Sequence, residues 1–574
     1  MKKFEDFVYD ILDTPKKKKM VLLLTALAFA LAILMFPTKI VLAKMLPGKS
    51  DNTFSLYVDA PSGTSIEQTN KISQCAIGIL KKEKEVLNIE LFLGQGLPLD
   101  YAGLVKGSGM KQSENVAEIS VNLTDKHERD EPSYLMVQRL RPIIQKECER
   151  IVKNTSIKFI EQPAGPPTMA SIVVEVYGND NKKIRNISNE VVSILSKTEG
   201  LVDVDIVGDK IYQKYQLVPD KERIAQSGAS VEQLNNILYL AFEGMVVGQK
   251  NNQDYSDQIP IFLSLDKESK SIASSSEDEV MLKLSSLNLM NQMGMQIPVS
   301  ELVTLQKVEN NPVIMHKNLN KMMNVVAETD MVSQVYPLLD AREQMIEHFG
   351  KKYEVKKVPG MSTYMFDLNL KDKKTGEEFL LRWDGEMKVT LDTFKDLGGA
   401  FIAALVLIFL LLVIYYKSFA LSGIVLLGSF LSIIGVIFGH LVADIVTTDT
   451  FFLTATSLIG FIALMGISSR NSLLLIDFAK SLMECHGISK RRAIAVAAAT
   501  RAKPIALTAI AIILGSALLA SDPIFGGLGV ALISGTVAAV FVSLLFIPIL
   551  MDNSKAMDFE PEACEAKENI AITK

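Results

Sequence analysis

Long uncharged runs alternate with polar chain so as to divide the sequence into two materials. The apolar runs occupy residues 20–36, 397–416, 419–440, 451–469, 505–520 and 524–551. At about 1.5 Å of helical rise per residue such runs approach or exceed the thickness of a hydrocarbon core, so six membrane spans are predicted. Between the first and second lie about 350 residues of ordinary soluble composition, ample for more than one core.

Inside that long segment the hydrophobic period switches repeatedly between 2 and 3.6. TFSLYVDA at 53–60 alternates as a strand, PSG turns it, and 64–85 has helical spacing with Thr64 as a cap. A strand at 87–93 and another at 115–123 (NVAEISVNL) flank a glycine-rich passage at 94–109. A helix at 133–152 and a strand at 156–160 follow. Strand, helix, strand, strand, helix, strand is the succession of a ferredoxin-like split βαβ unit. After PAGPP at 163–167 the pattern restarts with a strand at 172–177, a helix at 182–196, and strands at 202–207 and 214–218. Residues 220–240 read as two short helices around SGAS and 258–265 as a strand. A serine-rich charged passage at 271–279 precedes a hairpin centred on 291–294. A helix at 335–349 and a strand at 353–358 would complete a second unit that this insertion interrupts. The polar tail from 552 to 574 reads as disordered.

Charge adds orientation. Lys2, Lys3 and the lysines at 16–19 precede the first run, Lys417 follows the second, and Lys480, Lys490, Arg491, Arg492, Arg501 and Lys503 lie between the fourth and fifth. The 441–450 loop has Asp444 and Asp449 and no basic residue, and the 521–523 connection has Asp522. This alternation predicts both termini in the cytoplasm and the large segment outside. The first run is longer than a signal h-region and lacks a small-x-small cleavage site, so it reads as an anchor. Of four cysteines, Cys75 and Cys148 fall outside, and a disulfide between them is left open. A net charge of -5 and the lack of a basic stripe argue against nucleic acid.

Candidate chemistry concentrates in FFLTATSLIGFIALMGISSRNSLLLIDFAK at 451–480, where Arg470 and then Asp477 interrupt an apolar run. Seven residues is nearly two helical turns, which puts both charges on one face, in reach of a common polar seam. Intramembrane charge is costly and marks function by default; the alternative is that both charges snorkel from the cytoplasmic end.

Two βαβ units between the first and second of six spans, with a polar fourth span, resemble one half of a resistance-nodulation-division (RND) efflux permease. GISSRNSLLLIDFAK at 466–480 is similar to that family's tenth-span signature and RAKPIALTAIAIILG at 501–515 to its eleventh. DKERIAQSGASVEQLNNIL at 220–238 and IPVSEL at 297–302 resemble the segments entering and leaving its docking subdomain. The implied fold is six transmembrane helices with a large α+β periplasmic region: cytoplasmic residues 1–19, a first span at 20–42, periplasmic 43–396, spans two to six at 397–551, and a cytoplasmic tail at 552–574. The periplasmic part divides into a first porter subdomain at 50–165, a second at 168–218 and 312–390, and a docking insertion at 219–311.

The resemblance further implies proton-driven export of small molecules across a bacterial inner membrane. It implies work with a periplasmic adaptor protein and an outer-membrane channel. It matches only the C-terminal half of a usual member, and no Asp-Asp pair occurs in any run here. The expectation is therefore a split permease whose complementary half carries the membrane aspartates, assembled as a trimer of half-pairs; self-pairing of this chain, or a protein-export auxiliary factor of related build, are the alternatives. Arg470 stands where the family has lysine and would be a fixed counter-charge, since arginine keeps its proton. Asn471 and Thr508 would hold hydrogen bonds or water in the proton path, or Thr508 would bond its own helix. Asp477, near the cytoplasmic end, suits a structural or exit role.

Met290, Met293 and Met295 fit gap filling better than soft-metal ligation. Trp383, just before the second span, reads as an interfacial anchor. No cofactor or metal motif, nucleophile elbow or phosphate loop supports an enzyme. Reporter fusions at Gly208 and Asp449 are expected to signal outside, and at Gly487 and Ala556 inside; a cytoplasmic signal at Gly208 would overturn the topology.

Overall fold

The computed structural model describes residues 2–559 except 49, 101, 163–164, 254–255, 271–275, 331–332, 359–364 and 448–449. Two compact units emerge, one made of Met1–Ala60, Ile66–Val207 and Met315–Lys574, the other of Pro61–Ser65 and Gly208–Ile314.

The first unit opens with α1 (Lys2–Asp13) and α2 (Pro15–Leu34). α1 is amphipathic: Val8, Ile11 and Leu12 enter the core of the helix bundle, while Glu5 reaches Arg492 at 2.6 Å and Asp13 reaches Arg491 at 3.0 Å. α2 carries the first expected span. Four lysines occupy its first five positions, which shortens its apolar run, and Leu23, Leu24, Leu27 and Leu31 stay exposed on it.

Strand β1 (Thr53–Asp59), α3 (Ile66–Leu80), β2 (Val86–Gln95), β3 (Gln112–Leu123), α4 (Ser133–Cys148) and β4 (Ser156–Glu161) follow in the expected succession. They form a four-stranded sheet in the order β2-β3-β1-β4. The inward positions of β1 and β3 (Leu56, Val58, Ile119, Val121) meet Ile72 and Ala76 of α3 and Met136, Leu140 and Ile144 of α4. A disulfide joins Cys75 to Cys148 with Cα atoms 5.7 Å apart, tying α3 to α4 across 73 residues of chain. This resolves the pairing that spacing left open, and it suits an oxidising compartment.

β5 (Ile172–Tyr177), α5 (Asn181–Leu195) and β6 (Leu201–Val207) begin a second subdomain. The chain then leaves for the second unit. There β7 (Gln213–Pro219) pairs with β12 (Val303–Glu309), enclosing α6 (Lys221–Gln226), α7 (Val231–Phe242), a β8–β9 ladder (Met245–Lys250, Ile259–Leu263), α8 (Glu277–Ser285) and a β10–β11 hairpin (Asn288–Met290, Gln296–Pro298). Asp220 caps α6 and Ser230 caps α7 with a capping box, so each short helix begins where its capping residue stands. The expected 214–218 strand pairs with β12, and this unit, which takes in both strands, runs from Gly208 to Ile314 together with Pro61–Ser65.

The chain returns with β13 (Met315–Lys317), β14 (Asn320–Thr329), α9 (Val335–Gly350), β15 (Tyr353–Lys357), β16 (Leu368–Asp372) and β17 (Glu378–Asp384). The completed sheet has seven strands, ordered β13-β14-β5-β17-β16-β15, with β6 also on β14. α5 and α9 cover one face through Ile187, Val191, Leu338 and Met345. Trp383 belongs to this core. It lies opposite Val174 in the sheet, is 3% exposed, and donates its indole N–H to the Phe366 carbonyl at 3.0 Å, so strand register buries it and it is not an interfacial anchor.

Among the described residues five helical segments are long and apolar enough to cross a membrane: Glu386–Tyr416, Phe419–Val446, Ala455–His486, Lys490–Ala520 and Gly526–Asn553. The first is α10; the second comprises α11 (Phe419–Phe430) and α12 (Ile433–Val446); α13 is Ala455–His486 and α14 Lys490–Ala520. The fifth comprises α15 (Gly526–Phe541), a π-turn over Val542–Phe546, and α16 (Ile547–Asn553). Part of the expected disordered tail is ordered: Lys555–Met557 forms a helical turn that buries Met557, and Asp558 pairs with Lys490 at 2.8 Å. Residues 560–574 lie outside the described residues.

Opening a cross-link over a loop of this length releases chain entropy worth about 2–4 kcal/mol. Cys75→Ser is therefore expected to lower the thermal midpoint by several degrees, and reductant to do the same to the unmutated chain. An unchanged midpoint in both would show that packing alone holds α3 to α4.

Candidate functional site

Close approach of backbones fixes the rotation of α13. A methyl group built on Gly535 of α15 would lie 2.2 Å from Leu464 of α13, and one on Gly460 would lie 3.1 Å from Ala531. Gly435 and Gly439 of α12 meet Ser534 of α15 at 2.4 and 2.0 Å on the same measure. Small residues at such crossings let helices touch where lipid offers no hydrophobic drive. With α13 held this way, Ser468, Asn471 and Ser472 are buried, while Ile459, Ala463, Gly466, Arg470 and Leu474 remain exposed. The exposed set recurs every three or four residues, one continuous stripe along the helix.

Arg470 stands on that stripe. Among the described residues it forms no ion pair or hydrogen bond, and neither Asp477 nor Thr508 is brought to it. Asp477, half-buried two turns on, accepts a hydrogen bond from the Tyr415 hydroxyl of α10 at 2.9 Å. Tyr416 beside it donates to the Leu473 carbonyl at 3.2 Å. Asn471 is turned inward, one residue and so about 100° from Arg470. Thr508 is exposed on α14, and its hydroxyl bonds the carbonyls of Pro504 at 3.0 Å and Ile505 at 2.9 Å, within its own helix. Leu507, Ile510, Leu514 and Leu518 of the same helix are also uncovered.

Among the other polar groups here only Arg501, the first residue of the 501–515 motif, carried a sequence signal. The Arg501 guanidinium lies 5.0 Å from the centre of the Phe478 ring, one residue past Asp477, and its Nε is sealed from solvent without a hydrogen bond. The hydroxyls of Ser468, Thr536 and Ser543 are buried and have no hydrogen-bond partner among the described residues. Fully buried His440 meets the Val436 carbonyl through Nδ1 at 2.7 Å and the Ser457 hydroxyl through Nε2 at 2.8 Å. A carbonyl only accepts, so Nδ1 carries the proton and Ser457 donates to Nε2. Ser457 also belongs to the capping box of α13 with Thr454, so the start of the helix that bears Arg470 is anchored to α12.

The three methionines are exposed on the β10–β11 hairpin, where Asn291 Oδ1 accepts the backbone N–H of Met293 and of Met295 at 2.9 Å. Among the described residues no group of three or more His, Cys, Asp or Glu is arranged to hold a metal.

The family model for AcrB/AcrD/AcrF matches residues 2–355 and 361–552. The swarming motility protein SwrC of Bacillus subtilis is 23% identical over 528 residues, covering 90% of this chain and 44% of SwrC. The multidrug export protein AcrF of Escherichia coli is 22% identical, covering 88% and 45%. The nickel and cobalt resistance protein CnrA of Cupriavidus metallidurans is 24% identical, covering 70% and 34%. A crystal structure of a heavy metal efflux pump superposes with a TM-score of 0.69 at 19% identity, covering 96% of this chain and 51% of the pump, a likeness of fold. The chain spans about half the length or less of the relatives it matches.

Proposed function

The chain belongs to the AcrB/AcrD/AcrF family of RND efflux permeases, and from that premise we propose that it is one half of a split, proton-driven exporter of small molecules. In this reading α2 is the sixth membrane span, both termini face the cytoplasm, and the two α/β subdomains with the second unit stand in the periplasm of a bacterial inner membrane. The complementary half, carrying membrane carboxylates, covers the exposed stripe of α13 and the uncovered face of α14. A trimer of such pairs works with a periplasmic adaptor and an outer-membrane channel.

The observation that carries the proposal is Arg470, a permanent cation on an uncovered helix face without a partner among the described residues. Left in lipid, such a charge costs roughly 3 kcal/mol on insertion scales. A carboxylate from another chain offsets that cost. Its affinity for a proton would then depend on its distance from the guanidinium, low when close and high when the two separate in a desolvated site. Alternating the two states moves a proton across the membrane.

In vesicles holding both halves, Arg470→Ala is expected to cut proton-driven efflux by about a hundredfold at equal protein level, the size implied by losing roughly 3 kcal/mol of buried pairing. Arg470→Lys should keep substantial activity, Asp477→Asn should be tolerated, and Thr508→Val should do little, since its hydroxyl bonds its own helix. Near-normal efflux by correctly inserted Arg470→Ala would remove the coupling role, and export by this chain alone would replace the split permease with a self-paired one.

A further inference from the structure

The two α/β subdomains of the first unit meet through charges. Arg141 of α4 reaches Asp330 at 2.9 Å and Asp203 of β6 at 3.4 Å. Lys158 of β4 bridges Asp59 at 3.2 Å and Asp205 of β6 at 2.5 Å, and Lys106 reaches Glu328 at 2.7 Å. Beside these pairs lies a cavity of about 160 Å³, lined by Glu161, Glu328, Asp330 and Glu386 against Lys44, Lys106 and Arg141. It adjoins the segment that follows α2, through Lys44, and the first residue of α10, Glu386.

Glu161 and Glu386 are the lining carboxylates with no ion pair among the described residues, and Glu161 is the one that stands on a strand at the subdomain junction. It ends β4, and its Oε1 is sealed from solvent with no hydrogen-bond partner among the described residues. Burial pushes its carboxyl up to about 7; Arg141 and Lys44 draw it down, and Glu328 and Asp330 push it further up. Glu328 behaves oppositely: burial acts to raise it, but Lys106 and the Ser171 hydrogen bonds prevail and hold it below the usual range. Asp203 is raised by burial against the pull of Arg141. Arg141 thus already answers two carboxylates.

We infer that Glu161 is a proton-binding site, outside the membrane helices, that decides whether Arg141 keeps the two subdomains together. With its proton, Glu161 is neutral and Arg141 stays with Asp203 and Asp330. When the carboxyl releases that proton to solvent, a third carboxylate competes for one guanidinium in a closed space, and parting the subdomains admits the water that the new charge requires. A carboxyl whose affinity for protons is raised in the closed form binds more protons there than when open, so closure is favoured at low pH. It is lost as pH rises from the ordinary carboxylate value of 4.5 through about 7.

The Phe159 N–H donates to Asp203 across the junction at 3.2 Å, which makes β4 a reporter of opening. Hydrogen exchange of the full chain in nanodiscs, corrected for intrinsic rate, is compared at pH 5.5 and 8. Protection of β4 and β6 is expected to fall by at least about tenfold at the higher pH, because each pH unit separating the open and closed titrations is worth a factor of ten, while β1 and β3 stay protected. Glu161→Gln should hold the low-pH protection at both values. Asp330→Asn, which frees Arg141 for Glu161, should move the transition to lower pH. Equal protection at both pH values in the unmutated chain, a wild-type response in Glu161→Gln, an unmoved midpoint in Asp330→Asn, or loss spreading to β1 and β3 would each overturn the inference.

Discussion

The approach of α12, α13 and α15 to backbone contact is the constraint on which the membrane part depends. In lipid no hydrophobic gain draws helices together, so association rests on van der Waals contact, which glycine permits by removing the side chain between two backbones. Gly435, Gly439, Gly460 and Gly535 supply that absence. Once they set the rotation of α13, neighbours in sequence meet opposite fates: Asn471 is buried, and Arg470 is left on the uncovered stripe. A larger residue at any of these glycines would change not only packing but which charge faces where.

The α/β part uses a different logic. Each α/β subdomain has its own apolar core under its own pair of helices, and the first is closed further by the Cys75–Cys148 bridge. Between the two run ion pairs. Burying paired charge returns little net stability because the desolvation cost offsets much of the attraction. An apolar seam of the same area would weld the subdomains together. A charged one holds a defined geometry and still separates when one partner changes its charge.

How much of this was legible in the sequence follows from which signals are local. Five of the six apolar runs coincide with helices long and apolar enough to cross a membrane, and the alternating runs marked β1 and β3, because length and period are properties of a segment alone. The partner of a strand is not. The 214–218 strand was recognisable, but its pairing with β12, some 90 residues on, was not. Trp383 was misread for the same reason: proximity to a span in sequence hid a register that turns it into the sheet core. The Cys75–Cys148 pairing depends on α3 and α4 lying side by side, which cysteine spacing does not encode. Arg470 stood out as a charge in an apolar run, whereas His440, Ser457, Ser468 and Thr536 were single polar residues in such runs, whose significance depends on burial and hydrogen bonding that no spacing encodes.

Arg470 and Glu161 are complementary defects. Arginine keeps its charge at any accessible pH, so α13 offers at Arg470 a cation and no group that takes up or releases a proton; Asp477, the carboxylate nearest in sequence, is engaged by Tyr415. The subdomain junction has the reverse: an acid, Glu161, drawn on by Lys44 and by an Arg141 already shared between two carboxylates. A proton site needs both an acid and a means of changing its surroundings. In the proposed exporter the acid on the membrane face would come from the complementary half, and the change from relative movement of helices. At the junction the acid is present, and the change is the parting of two subdomains next to the points where the chain passes from α2 and into α10.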